Sequence, residues 1–206
     1  MPAMRAKLMG WFLLGLVRLL TGSQARWVGC PPKAEQRIYF ANHQSHADLV
    51  LIWAALPQVL RTLTRPIAAR DYWTKTPFRQ WITTEVFNAI YVARERTADQ
   101  DPLEPLIEAL ENGDSIILFP EGTRGYAEDP QPFKAGLYNL AQRFPQVVLV
   151  PAWIANVQRV MPKGEVVPVP VLCSVTFGAP LQLEAGEDRR IFLDRARYAV
   201  MALRDV

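Results

Sequence analysis

Apolar residues in this chain come in short unbroken runs, divided by polar stretches and by prolines and glycines. Residues 37–41, 89–92, 115–119, 147–150 and 169–177 are rich in β-branched or aromatic side chains and predict strands, and the short apolar run 66–69 predicts a further one. Several of these runs are apolar at consecutive positions instead of alternating, the pattern of strands covered on both faces. Residues 49–56 are apolar throughout and stop at Pro57, which predicts a buried helix whose first turn holds Ser45, His46 and Asp48. A second helix is predicted over 102–110, with Pro102 and Pro105 early and Asn112-Gly113 as its stop. A third is predicted over 135–144, closed by Pro145, and a charged amphipathic one over 188–203. Strands alternating with helices in this way predict an α/β fold: a single domain with a mostly parallel, covered sheet and flanking helices.

The N-terminal run differs. Arg5 and Lys7 precede an apolar stretch over 8–20 that Arg18 interrupts. The charge and apolar order resembles a secretory leader, but no small-residue cleavage site follows. The run also falls short of the roughly 20 apolar residues a bilayer crossing needs. It predicts amphipathic helices lying in a membrane interface, with Trp11, Phe12 and Leu13 in the apolar layer and Arg5, Lys7 and Arg18 near headgroups. A spanning segment and an ordinary buried helix are the alternatives. The breaker Cys30-Pro31-Pro32-Lys33 divides the chain into an N-terminal interfacial helical segment, 1–30, and the α/β domain, 31–206.

Composition narrows the function classes. Half of the 206 residues are hydrophobic and 21% are charged, which excludes a disordered chain. A net charge of +3 is too small to argue for nucleic acid, but it suits an anionic membrane surface or a phosphate-bearing substrate. Cys30 and Cys173 lie far apart with no ligand spacing, so a structural zinc site is not expected. Two thiols in a reducing compartment are expected in place of a disulfide.

Two stretches carry candidate chemistry. Asn42-His43-Gln44-Ser45-His46-Ala47-Asp48 joins a predicted strand to the buried helix and holds both histidines of the chain. Histidine suits general-base work near neutral pH, and a carboxylate on its other ring nitrogen fixes the tautomer. Asp48 is placed to do this for His43 or for His46, and spacing alone does not choose. Capping by Asn42, Ser45 and Asp48 is the bland alternative. A metal site of His43, His46 and Asp48 lacks a further ligand. A nucleophilic Ser45 lacks demonstrated triad geometry. The second stretch, Phe119-Pro120-Glu121-Gly122-Thr123-Arg124, follows the strongest predicted strand. Gly122 lets backbone approach a ligand closely, Arg124 offers a planar fork for phosphate, and Glu121 can accept from hydroxyls. Its bland alternative is a surface turn with a Glu–Arg pair.

Taken together, these stretches resemble the glycerolipid acyltransferase family of the lysophosphatidic acid acyltransferase type. His43-x4-Asp48 looks like its catalytic block, and Phe119 to Arg124 matches a further block fully. Ala89-Ile90-Tyr91-Val92-Ala93-Arg94 and Val150-Pro151-Ala152 resemble two weaker blocks; Asn88-Ala89 stands where the family commonly has glycine. The resemblance implies that His43 is the base and Asp48 its orienter. It further implies that Arg94, Glu121, Gly122, Thr123 and Arg124 bind the acceptor. Lys134 is a further basic candidate, and residues 49–56 could line an acyl tunnel. The implied reaction moves an acyl group from acyl-CoA or acyl carrier protein to a lysophospholipid hydroxyl, with no acyl-enzyme, metal or redox cofactor. The expected acceptor is 1-acylglycerol 3-phosphate; another lysolipid acceptor, or a non-catalytic membrane lipid-binding protein, are the alternatives. The implied place is the cytoplasmic face of the inner or plasma membrane, peripheral or monotopic, with no nucleic-acid partner.

Overall fold

A computed structural model describes residues 2–22, 24–45, 47–93, 101–125, 127, 129–156 and 172–206. Its strands are β1 (Gln24–Trp27), β2 (Arg37–Ala41), β3 (Thr64–Ala69), β4 (Ile90–Val92), β5 (Ser115–Leu118), β6 (Val148–Ala155) and β7 (Ser174–Phe177). They form one seven-stranded sheet in the order β1-β7-β6-β2-β5-β3-β4. Among the described residues, every neighbouring pair is parallel except β6 and β7. The helices are α1 (Pro2–Thr21), α2 (Asp48–Ala55), α3 (Gln58–Thr62), α4 (Arg70–Trp73), α5 (Pro77–Trp81), α6 (Glu104–Glu111), α7 (Gly136–Arg143) and α8 (Arg189–Met201), with a π-helical turn over Ile82–Val86. The expected mostly parallel, covered α/β sheet is the fold.

The central strand explains why. All five residues of β2 are buried, and its alternate side chains enter different cores. Tyr39 and Ala41 join Leu49, Ile52 and Trp53 of α2 and Leu14 of α1 on one face. Ile38 and Phe40 join Leu106 of α6, Leu137 of α7 and Phe192 of α8 on the other. A strand with apolar residues at consecutive positions, as from Ile38 to Ala41, is stable only when both faces are covered, and a large side chain such as Ile38 or Phe40 contributes about 1.5–3 kcal/mol when fully buried.

Three differences from the sequence reading have physical causes. β6 continues to Ala155, although a proline at its fourth position argues for an earlier end. The Pro151 carbonyl accepts the Gly178 N–H at 2.9 Å, while Val150 and Ala152 stay paired with Tyr39 and Ala41. The late strand is shorter than its predicted run and occupies Ser174–Phe177; residues 169–171 lie outside the described residues. At the N-terminus a single helix ends at Thr21, and β1 then pairs with β7, so the sheet begins before the Cys30-Pro31 breaker. The polar edge strand has little apolar pattern to read; Trp27 anchors it by stacking on Phe177, with centroids 4.1 Å apart.

α1 is apolar on two opposite faces. Ala6 and Leu14 are buried, and Gly10 backs onto Val86 and Trp53. Met4, Leu8, Trp11, Phe12, Leu16 and Leu19, at helical spacing on the other side, are exposed. Among the described residues no helix is long and apolar enough to cross a membrane.

Candidate active site

The two chemical stretches meet because their strands are neighbours. β2 and β5 run parallel with Phe40 opposite Leu118, so residues 42–48 and 119–125 leave the same carboxyl edge of the sheet. Ligand sites of open parallel sheets lie beyond that edge.

Asn42 closes β2. Its side chain is buried and reaches β6, accepting Ile154 N–H at 2.8 Å and donating to Ile154 O at 3.1 Å. The two bonds pin the backbone immediately before His43. The His43 ring lies over Phe119, with centroids 4.4 Å apart and an interplanar angle of 19°. It remains 22% exposed, while the Asp48 side chain is fully buried. His43 Nδ1 lies 2.8 Å from Asp48 Oδ2. The same oxygen accepts the N–H groups of Gln44 at 2.6 Å and Ser45 at 2.8 Å. With the proton on Nδ1 bonded to Asp48, Nε2 keeps its lone pair for a substrate proton.

Local folding makes this compact. Asp48 opens α2, and the peptide N–H groups of Gln44 and Ser45 turn back to its carboxylate. Ser45 Oγ accepts Ala47 N–H at 3.2 Å. The bland capping reading does not describe this stretch: the N-cap of α2 is Ala47, without a side-chain capping bond, Asn42 goes to Ile154, and Asp48 accepts from two peptides ahead of the helix while it holds His43. Sequence spacing left His43 and His46 open; His43 bonds Asp48, and His46 lies outside the described residues.

Glu121 is 2% exposed. Its Oε1 accepts His43 N–H at 2.6 Å and its Oε2 accepts Gln131 N–H at 2.7 Å. The sequence expectation was a carboxylate open to a substrate hydroxyl; both oxygens instead serve the backbone. Burial pushes the Glu121 carboxyl upward, and the N–H groups of Gln131 and His43 oppose the shift. Gly122 has φ +68°, the left-handed region, and a Cβ there would lie 2.7 Å from Lys134 Nζ. Thr123 is exposed and Arg124 half-buried. Gly125 N–H returns to His43 O at 2.8 Å, so the loop begins and ends on the histidine. Arg94 lies outside the described residues.

Sequence reasoning missed the Phe119 stack, the Gln131 N–H and the neighbourhood of Cys173. Burial and the nearby Asp48 charge push the Cys173 thiol up to about 11. No periodicity marks these: the Phe119 and Cys173 neighbourhoods join segments far apart in sequence, and Gln131 N–H reaches Glu121 across ten positions of loop. Cys30 and Cys173 are both buried thiols.

The family model described as Acyltransferase matches residues 30–155. The 1-acyl-sn-glycerol-3-phosphate acyltransferase alpha of Homo sapiens is 28% identical over 178 residues, covering 84% of this chain and 60% of its own. The 1-acyl-sn-glycerol-3-phosphate acyltransferase of Cocos nucifera is 26% identical over 196 residues, with shares of 84% and 57%. The chain thus spans about 60% of the length of the curated relatives it matches. In fold it is similar to the crystal structure of the 1-acyl-sn-glycerophosphate (LPA) acyltransferase PlsC of Thermotoga maritima, with a TM-score of 0.70, 22% identity, and coverage of 96% of this chain and 78% of that one. The family model takes in both chemical stretches and the strands that carry them, and the chain belongs to the Acyltransferase family.

Proposed function

We propose that this protein transfers an acyl group from a thioester donor, acyl-CoA or acyl carrier protein, to the free hydroxyl of 1-acylglycerol 3-phosphate, giving phosphatidic acid. The observation that carries the reading is the part-exposed His43 ring, held by buried Asp48 beside the loop of Gly122, Thr123 and Arg124. The names of the similar proteins support the acceptor class.

His43 Nε2 takes the hydroxyl proton as the hydroxyl oxygen attacks the thioester carbonyl carbon. A tetrahedral intermediate forms. Its collapse breaks the C–S bond, and the proton on His43 passes to the departing sulfur. Asp48 stabilises the imidazolium formed in between. The acceptor alcohol is itself the nucleophile, so no acyl-enzyme forms. Arg124 and Arg94 grip the acceptor phosphate, with Lys134 beside Gly122 adding a third cation; charge-assisted bonds of this kind are the strong ones. Thr123 offers a hydroxyl donor. The apolar stretch that becomes α2 borders the acyl chain. The outer face of α1 holds the protein on the cytoplasmic face of a membrane, where a bilayer acceptor meets a soluble donor.

The test is transfer of a labelled acyl thioester to lysophosphatidic acid in phospholipid vesicles, comparing the native protein with His43→Ala. Transfer by the native protein that falls to background in the variant is expected. Equal rates would remove His43 from the chemistry. No transfer to this acceptor, with transfer to another lysolipid, would move the specificity.

A further inference from the structure

Glu121 sits in the loop that holds the acceptor in the proposed reaction, but its carboxylate is committed elsewhere. Oε1 accepts His43 N–H at 2.6 Å and Oε2 accepts Gln131 N–H at 2.7 Å. The residue is 2% exposed, with less access to a substrate than the His43 ring. A carboxylate binding a substrate hydroxyl needs an oxygen facing the cleft.

The His43 peptide is held at both ends. Its N–H goes to Glu121 and its carbonyl takes Gly125 N–H at 2.8 Å. The ring is separately fixed by Asp48 and Phe119. Gln131, the other donor, follows residues braced by α8 and the chain after it: Arg197 Nε of α8 donates to Pro130 O at 2.7 Å, and Arg204, beyond the helix, pairs with Asp129. Glu121 therefore ties the end of β2 at His43 to residues held by Arg197 and Arg204.

We infer that Glu121 is a positioning residue for the proposed acyl transfer: it fixes the main chain of His43 through a two-oxygen clamp between His43 N–H and Gln131 N–H, and does not bind the acceptor. The inference rests on the proposed reaction and assigns this carboxylate a different task within it. Side-chain chemistry agrees. Glutamine has one acceptor oxygen and would turn an NH2 group toward the second N–H donor. Aspartate is one methylene too short to span both. A buried carboxylate is costly unless its hydrogen bonds are made, and here the clamp makes them. Burial raises the Glu121 carboxyl, and the same two N–H groups pull it back, which fits a group kept for its acceptor geometry. Displacing a catalytic group by about 1 Å costs on the order of 100-fold in rate.

The experiment measures initial rates against lysophosphatidic acid concentration in phospholipid vesicles for the native chain, Glu121→Gln, Glu121→Asp and Gln131→Pro, which removes the second donor and leaves the carboxylate. A clamp predicts kcat lower by about 100-fold in Glu121→Gln, with acceptor KM within about twofold. Glu121→Asp should not rescue it, and Gln131→Pro should lower kcat in the same direction by a smaller factor. An acceptor ligand predicts the reverse, KM raised tenfold or more with kcat held, and that result overturns the inference while leaving the reaction standing. Circular dichroism checks folding. Where Glu121→Gln does not fold, Gln131→Pro decides alone, and an unchanged kcat overturns the clamp. Nitrogen NMR of the histidine rings, with His46→Gln for assignment, needs no substrate: the clamp predicts an altered His43 Nδ1–H bond in Glu121→Gln, and an identical signal overturns it. A native protein with no transfer would sink the proposed reaction, and this last measurement would still decide the role of Glu121.

Discussion

Asp48 and His43 are joined through a single oxygen: Oδ2 lies 2.8 Å from Nδ1, and the same oxygen takes the two peptide N–H groups that follow the histidine. The carboxylate thus sets the ring's tautomer and the shape of the loop that carries it. Asp48→Asn separates these tasks, because an amide oxygen still accepts from Gln44 and Ser45 but no carboxylate charge remains to stabilise the imidazolium. We expect kcat to fall by on the order of 10⁴-fold, the size seen when a triad carboxylate is replaced this way, with acceptor KM little changed and the thermal midpoint within a few degrees. Steady-state rates on lysophosphatidic acid vesicles check it. A loss under threefold would remove Asp48 from the orienting role.

Gly122 meets two constraints at once, a φ of +68° and the lysine that fills the space where a side chain would project. Gly122→Ala places a methyl carbon 2.7 Å from Lys134 Nζ, and the flexible lysine must swing away. The backbone cost is about 1 kcal/mol. If Lys134 contributes to phosphate binding, acceptor KM rises about tenfold in Lys134→Ala, which corresponds to roughly 1.4 kcal/mol. The double variant should then show little further rise, since the lysine is already lost. Additive effects in this cycle would mean that the two residues act separately.

What the sequence disclosed and what it hid divide by range. β2 and β5 are legible because buried parallel strands are apolar at consecutive positions, and the His43–Asp48 pair is legible because it lies within six residues. The contacts that assemble the site span much greater separations. Asn42 grips Ile154 across 112 positions, and Glu121 reaches the His43 peptide across 78. Neither leaves a periodicity. The surroundings of Glu121 were for this reason the least legible: a motif identifies the residue type, but burial and the partners of each oxygen belong to the packed chain. β1 was hidden differently, because an edge strand of Gln24, Ala25, Arg26 and Trp27 has one large apolar side chain to show. The apolar run of α1 was plain, but not that one face would pack against α2 while the other stayed bare.

Cys173 predicts an alkaline weakness. Burial first, and the Asp48 charge second, push its thiol from the ordinary 9.0 up to about 11. The folded chain therefore keeps a proton that the unfolded chain loses above pH 9. Stability from this group is fully present below pH 9 and declines as pH rises to about 11, by about 2–3 kcal/mol in all. Tyr39, pushed by burial from 10.0 up to about 12, extends the decline. Urea midpoints at several pH values between 8 and 11 should fall in the native protein. In Cys173→Ala they should start lower, because a core group is lost, but fall less steeply. Parallel slopes would assign the alkaline loss to other groups.

The outer face of α1 offers the last prediction, and it turns on distinguishing membrane contact from packing. Leu8, Trp11 and Phe12 are 65%, 65% and 63% exposed, so replacing them removes almost nothing from the folded core. Leu14 lies on the opposite face and is 7% exposed. Leu8→Ser and Phe12→Ser should leave the urea midpoint unchanged but weaken partition onto anionic phospholipid vesicles by tenfold or more, since each inserted apolar side chain is worth about 1.5–3 kcal/mol. Leu14→Ser should do the opposite, lowering the unfolding free energy by about 2–4 kcal/mol through lost core packing, and the midpoint with it. Arg5, Lys7 and Arg18 add attraction to an anionic surface of about 1 kcal/mol each, so vesicle binding should weaken as salt rises. Co-sedimentation with vesicles across a salt series, read beside denaturation, checks both halves. Partition that is unchanged in the outer-face variants would mean that this apolar stripe meets something other than a lipid surface.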